Sequence, residues 1–334
     1  MGNPNNFPCN KRIDELDFMK FVFIVLMIAF HLTYISSLYP ELKRFVYTFH
    51  MPAFLVISGF VMNIQKTPRK FARTMWWLFV PYVVMESGYI LMASALPIKE
   101  HIAHLTPLVF AQCLVVHPLG PYWYLQTLIV CGCIYYGIFA TMPRLPIATK
   151  ILMIWVSYFI CSKLEILSLS CGCFFLAGVA IKQLGFKLHK TLALSWWALV
   201  GMAIIASDVT HYDRNTVYGI AIVYLAMSIS VFIFGFIKGT VRFACLYIGR
   251  HTLSIILFSP IFTLLCKPLV PLFSFDKTGM LFLIIAEIIV LSGSIGISLI
   301  MDYLHISPYF FGKYVVFDRR KSSVTEKGHE KREL

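Results

Sequence analysis

Apolar positions in this chain run in blocks of membrane length, without the strict alternation of a strand or the narrow stripe of a soluble amphipathic helix. Blocks of about 20 residues fall near 17–38, 44–64, 72–96, 120–141, 148–163, 167–184, 191–207, 216–237, 247–273 and 279–303. They predict an all-α fold, a polytopic transmembrane helical bundle of about ten spans. The fifth and sixth blocks are short, with little more than Ser162, Lys163 and Glu165 between them. Pro52 suits the first turn of a second helix that enters from the outer side, and Pro260 predicts a kink in the ninth span.

The polar positions that interrupt these blocks are few. Asp17, Lys20 and His31 all lie within the first one. Lys20 and His31 are eleven residues apart, three helical turns plus about 20°, so they share a face roughly 16 Å apart along the axis. A Lys or Asp near the centre of a span costs about 2.5–3.5 kcal/mol, so one without a purpose or a partner is not expected there. Glu86 lies in the third block and needs a partner, for which Lys20 or a neighbouring helix is a candidate. It is read either as a structural counter-ion or as a catalytic group.

Composition agrees with the pattern. The 334 residues are 59% hydrophobic and 13% charged, against about 25% charged in soluble domains. Most of the 29 lysines and arginines, which set the formal charge of +13, fall on one side of a ten-span topology. That side carries Lys66, Arg69, Lys70 and Arg73 in its first loop, and the positive-inside rule makes it the cytoplasm, with both termini on it. Lys43, Arg44, Lys99, Lys163, Arg214, Lys267 and Lys277 face the other side. No compact basic domain lies outside the membrane, so no nucleic-acid partner is expected. Residues 1–16 read as a polar cytoplasmic leader without a cleavable signal, 17–312 as the transmembrane domain, and 313–334 as a charged, disordered cytoplasmic tail.

Several side chains carry candidate chemistry. His50 is expected at the outer level near His31, either wetted at the interface or touching substrate. Arg69, Lys70 and Arg73 suit either anionic lipid or the phosphates of a ligand. His101, His104 and His117 lie in the longest outer connection, where their spacing, with no nearby carboxylate except Glu100, favours a solvated loop or lid over a metal site. The nine cysteines are scattered and read as small buried packing residues, so no metal is expected. Tyr122 and Trp123 open the fourth span as an aromatic belt that doubles as a sugar platform.

Taken together, Lys20-x10-His31 resembles the Arg/Lys-x10-His signature of the membrane acyltransferase-3 family. The Leu16-Asp17-x-x-Lys20 lead-in, Phe49-His50-Met51-Pro52-x-Phe54, Ser58-Gly59-Phe60, Pro81-Tyr82, Tyr122-Trp123-Tyr124-Leu125 and Ile248-Gly249-Arg250-x-Thr252-Leu253 follow in the family's order. The match spans residues 11–312 and is closest in kind to stand-alone sugar O-acetyltransferases, resembling fucose 4-O-acetylases and envelope polysaccharide O-acetylases. Many relatives carry a late second histidine where this chain reads Ile256-Leu257-Phe258-Ser259-Pro260.

The resemblance implies a multi-pass protein of the bacterial inner (plasma) membrane that moves an acetyl group from acetyl-CoA to a sugar hydroxyl. It needs no permanently bound cofactor. Its partners would be the acyl-CoA, a glycan or lipid-linked sugar acceptor, membrane lipids and, in a homo-oligomer, its own copies. His31 would serve as general base and Lys20, Arg69, Lys70 and Arg73 as the donor grip. Asp17 or Glu86 would hold Lys20, and His50, Tyr122 and Trp123 would orient the acceptor. Direct transfer and a covalent acyl-histidine both remain open, and a transporter or flippase for an anionic or sugar-lipid substrate is the alternative function.

Overall fold

The computed structural model describes residues 12–95, 101–192, 196–313 and 316. The expectations for residues 1–11 of the leader and for most of the tail from 314 onward lie outside them. Among the described residues the chain is helical, with no strand. In order the helices are α1 Asp14–His31, α2 Thr33–Leu38, α3 Pro40–Val61, α4 Pro68–Ala95, α5 Pro107–Val115, α6 Trp123–Thr141, α7 Ile147–Lys163, α8 Leu169–Gln183, α9 Leu188–Thr191, α10 Trp197–Ala206, α11 Val217–Phe234, α12 Gly239–Arg250, α13 Thr252–Leu265, α14 Met280–Tyr303 and α15 Ser307–Phe310.

Every apolar block contains a helix, but the helices are not equal. Five segments are long and apolar enough to cross a bilayer: Pro40–Val61, Pro68–Ala95, Gly120–Thr141, Val217–Phe234 and Met280–Tyr303. A bent pair, α12 and α13, makes a sixth if it counts as one span. α7, α8 and α10 have 17, 15 and 10 residues. At about 1.5 Å per residue the last two fall well short of a hydrocarbon core of roughly 30 Å. α1 is membrane-length but carries Asp14, Glu15, Asp17 and Lys20.

Two local expectations are corrected. The segment 247–273 is not one span kinked at Pro260: it turns by 82° between α12 and α13, while Pro260 sits inside α13. The turn falls at His251, whose backbone leaves the helical region (φ −112°, ψ 20°). The His251 Nδ1 bonds the Tyr247 carbonyl (2.7 Å), and its N–H reaches only to Ile248 (3.0 Å). Likewise Pro52 does not open α3. Pro40 does, at the first turn, where its missing N–H costs nothing. The helix therefore starts ten residues before His50 and carries that side chain into the interior.

α1 is the hub, packed against α3, α11, α12, α13 and α14. Glycine allows the closest approaches. A Cβ on Gly249 of α12 would lie 1.9 Å from the Asp17 carbonyl oxygen of α1, so the two backbones touch. α3 and α8 meet the same way: a Cβ on Gly59 would lie 2.1 Å from the Phe175 oxygen, and one on Gly178 1.9 Å from the Val56 oxygen. The Ser58-Gly59 pair thus serves the close helix contact its small side chains suggest. On α14 Phe282, Ala286 and Val290 are buried while Ile284 and Ile288 are exposed. An apolar face turned outward at helical spacing fits lipid contact better than water.

Candidate active site

One cavity, about 510 Å³, opens at the His31 end of the bundle. Its α1 wall is Ile24, Met27 and His31, a single stripe at helical spacing. α3 supplies Tyr47, His50, Met51 and Phe54. Three connections close over it: Val116 to Pro121 before α6, Glu165 to Ser168 between α7 and α8, and Arg214 before α11. That these connections meet at one end is what an antiparallel arrangement of the intervening helices requires.

The two imidazoles are tethered to their helices alike, His50 buried and His31 exposed. The Nδ1 of His31 lies 2.6 Å from the Met27 carbonyl, and the Nδ1 of His50 lies 2.8 Å from the Val46 carbonyl. A carbonyl oxygen only accepts, so each Nδ1 carries a proton, and in the neutral form of either ring the lone pair is on Nε2. The Nε2 of His50 is buried and has no hydrogen-bond partner among the described residues. Tyr47 stands between the rings, 5.9 Å from His31 and 5.0 Å from His50 by ring centroids, and its hydroxyl donates to the Phe30 carbonyl (3.2 Å). The interior placement of His50 removes the interfacial reading of that residue, because it lies nearly three turns inside α3 and faces a cavity.

The segment before α6 is held from beneath. Glu86 Oε1 accepts from the Leu119 N–H (2.6 Å), Gln126 Nε2 donates to the Val115 carbonyl (2.5 Å) and the Tyr82 hydroxyl donates to the Leu114 carbonyl (2.6 Å). At the mouth His117 Nε2 meets Glu165 Oε2 at 3.4 Å. Of the two acids expected to hold Lys20, Glu86 is the one that does not: it braces a loop.

Lys20 is held elsewhere. Its Nζ lies 2.6 Å from Asp17 Oδ1, and Arg250 completes that carboxylate through Nε at 3.3 Å to Oδ2. Arg250 Nη2 and Arg242 Nη2 reach Asp14 at 3.2 and 3.4 Å. Five charged side chains from α1 and α12 thus form one network, and the contact at Gly249 brings them within reach. Lys20 continues the Ile24–Met27–His31 stripe one turn below Ile24, about 6 Å along the axis, but does not line the cavity.

The other expected site residues divide. Trp123 lines the cavity. Tyr122 does not: it is buried and its hydroxyl donates to the Leu257 carbonyl (3.0 Å), because the short turn Gly120–Tyr122 points it into the packing against α13. Arg69, Lys70 and Arg73 are exposed at the start of α4 and are not brought to the cavity. Arg214, Tyr47, Gln126 and the His117–Glu165 pair were not singled out by sequence, where Arg214 counted only as an outer cation and His117 only as part of a lid. Their positions depend on three distant connections folding over one another, which no local pattern announces.

Among the described residues no cluster of three or more His, Cys, Asp or Glu is arranged to hold a metal. Cys131 and Cys171 are buried as packing residues should be, but Cys133 is exposed. It sits on the outer face of α6 beside an apolar groove lined by Phe71, Met75 and Tyr136.

Comparison with curated proteins gives no significant match, and neither does comparison with solved structures. A family model described as an acyltransferase domain matches residues 13–302, which takes in the hub helix, both histidines, the cavity walls and the charge network. With the match running from the first turn of α1 to the last of α14, the chain belongs to the membrane acyltransferase-3 family.

Proposed function

We propose that this membrane acyltransferase moves an acetyl group from acetyl-CoA to a hydroxyl of a sugar in a cell-envelope glycan or glycolipid. The observation that carries this reading is that His31 lines the cavity with its Nδ1 proton committed to Met27. An alcohol is a weak nucleophile at neutral pH, and a fixed neutral imidazole is the usual remedy, worth about 10²–10⁴-fold. The His31 Nε2 takes the hydroxyl proton as the alcohol oxygen attacks the thioester carbonyl. The tetrahedral adduct then collapses, the carbon–sulfur bond breaks, and the imidazolium returns the proton to the departing CoA thiolate. His50, bridged to His31 through Tyr47, is suited to orient the acceptor or, in a two-step route, to serve as the second base.

The donor's charged end belongs at the other end of α1. Lys20 on the His31 stripe and the exposed Arg69, Lys70 and Arg73 are the cations available for its phosphates. The uncharged pantetheine arm would then pass Ile24 to reach the cavity, and the face of Trp123 is the platform for a sugar ring. The membrane expected is the bacterial inner membrane.

The test uses the purified full chain in lipid nanodiscs with acetyl-labelled acetyl-CoA. Appearance of label on an added glycan, with stoichiometric release of free CoA thiol, supports the reaction. A transporter or flippase would instead move its solute across proteoliposomes without consuming the thioester, and that result would displace the proposal.

A further inference from the structure

Arg214 is the one arginine among the described residues that line the cavity. It lines the same wall region as His50, half-buried on the connection that precedes α11. Its position is fixed by tight packing. A Cβ on Gly219 would lie 2.1 Å from the Asp213 carbonyl oxygen and 2.7 Å from the Arg214 Cα, so this turn lies directly on the first turn of α11. Thr216 stitches the two together, its hydroxyl donating to the Asp213 carbonyl (2.8 Å) and accepting from the Gly219 N–H (3.1 Å).

The acids nearby in sequence are turned to other work. Asp213 Oδ1 accepts from the Asn215 N–H (2.9 Å), and Asp208 Oδ1 accepts from the Thr210 N–H (2.8 Å) and hydroxyl (2.7 Å). These bonds hold the Asp208 carboxyl below its ordinary range. The acid of the cavity lining, Glu165, lies exposed at the rim against His117. No described carboxylate forms an ion pair with Arg214. A second polar group, the buried Nε2 of His50, also waits in this cavity without a partner among the described residues.

A half-buried guanidinium with no ion pair among the described residues is a site for an oxyanion, which it can grip with a planar fork of N–H donors; the His50 Nε2 beside it, a lone pair without a donor, is a site for a hydroxyl. The thioester end of the donor is uncharged and its phosphates lie a full pantetheine arm away. A cavity of about 510 Å³ does not hold both the whole donor and a sugar, so the anion meeting Arg214 is not the donor's. We infer that Arg214 forms an anion subsite for the acceptor, which bears a carboxylate or a phosphate ester close to the hydroxyl that is acetylated, while the His50 Nε2 lone pair accepts from a hydroxyl of the same molecule. The words donor and acceptor rest on the proposed function; the anion subsite rests on the cavity itself.

The experiment measures binding and turnover on the full chain in nanodiscs. Ligands are methyl glucuronide for the carboxylate, glucose 1-phosphate for the phosphate and methyl glucoside as the neutral control. Binding is read as ligand-induced thermal stabilisation, and turnover as acetyl transfer from acetyl-CoA. Wild-type protein should favour at least one of the two anions over methyl glucoside by about 10-fold or more in apparent affinity, and which anion wins identifies the group. In Arg214→Gln that preference should fall to near one, and in Arg214→Lys it should be partly retained, which separates loss of charge from misfolding.

Equal binding of all three ligands by wild type would overturn the subsite, and so would an unchanged preference in Arg214→Gln. It would also be overturned if Arg214→Gln raised KM for acetyl-CoA but not for acetyl-dephospho-CoA, because the arginine would then belong to the donor. Anion binding that disappears in Arg214→Gln, in a protein that transfers acetyl to no acceptor, would sink the acyltransferase reading and leave the subsite standing.

Discussion

Gly178→Ala tests whether the cavity walls owe their spacing to backbone contact. The added Cβ would lie 1.9 Å from the Val56 carbonyl oxygen and 2.8 Å from the Phe60 nitrogen. Both obstacles are main chain, so neither can rotate away. To restore an ordinary contact of about 3.4 Å, α3 and α8 would have to part by roughly 1.5 Å, and overpacking of this kind costs about 1–3 kcal/mol. α3 carries His50 and Tyr47 while α8 carries Cys171, so the movement also widens the cavity, where misplacement by about 1 Å can cost on the order of 100-fold. The assay is thermal unfolding in detergent beside acetyl transfer. Melting should fall by several degrees, with kcat/KM lowered at least about 10-fold. Gly137→Ala and Gly296→Ala are the controls, since a Cβ at either meets nothing within 4 Å and alanine favours a helix by up to about 1 kcal/mol. Unchanged melting in Gly178→Ala, or an equal drop in the controls, would refute the reasoning.

Glu86→Ala removes the acceptor of the Leu119 N–H, an unsatisfied buried group worth about 1–3 kcal/mol. Melting should drop and acceptor KM should rise, because the freed segment lines the cavity; Glu86→Gln keeps an acceptor oxygen and should lose less than half as much. Arg250→Gln breaks the bridges to Asp14 and Asp17. With Arg250 21% exposed and Asp17 8%, the expected loss is about 1–2 kcal/mol after allowance for solvent screening. Arg44→Gln, whose pair with Glu41 is exposed on both sides, should melt within about 0.5 kcal/mol of wild type.

What was legible in the sequence follows the range of each interaction. Apolar runs locate helices because burial of a 20-residue segment is decided locally, and Lys20 and His31 could be placed on one face from helical geometry alone. The i, i+3 pairing of Asp17 with Lys20 was readable for the same reason. His50 was read as lying just outside a helix because Pro52 looked like a helix start, while Pro40 performs that role and the interior proline is tolerated within the bundle. Lys20 or a neighbouring helix was the partner expected for Glu86, because a buried acid calls for a side-chain counter-charge. Its partner is a backbone N–H thirty-three residues away, and backbone donors in loops leave no mark in a sequence. Tyr122 and Trp123 are neighbours with opposite fates, one in the packing and one in the cavity, since a short turn of helix separates their faces. Arg214 needed the loop before α11 to fold back onto Gly219, a contact between residues whose types alone do not suggest it.

The measurement that bears most directly on the central claim is acetyl transfer by His31→Ala and His31→Gln, each shown by melting and monodispersity to insert and fold as wild type does. Loss of about 10²–10⁴-fold in turnover in both variants, with acetyl-CoA still bound, is the result expected if this imidazole removes the acceptor's proton. Turnover within twofold of wild type in either variant would contradict it.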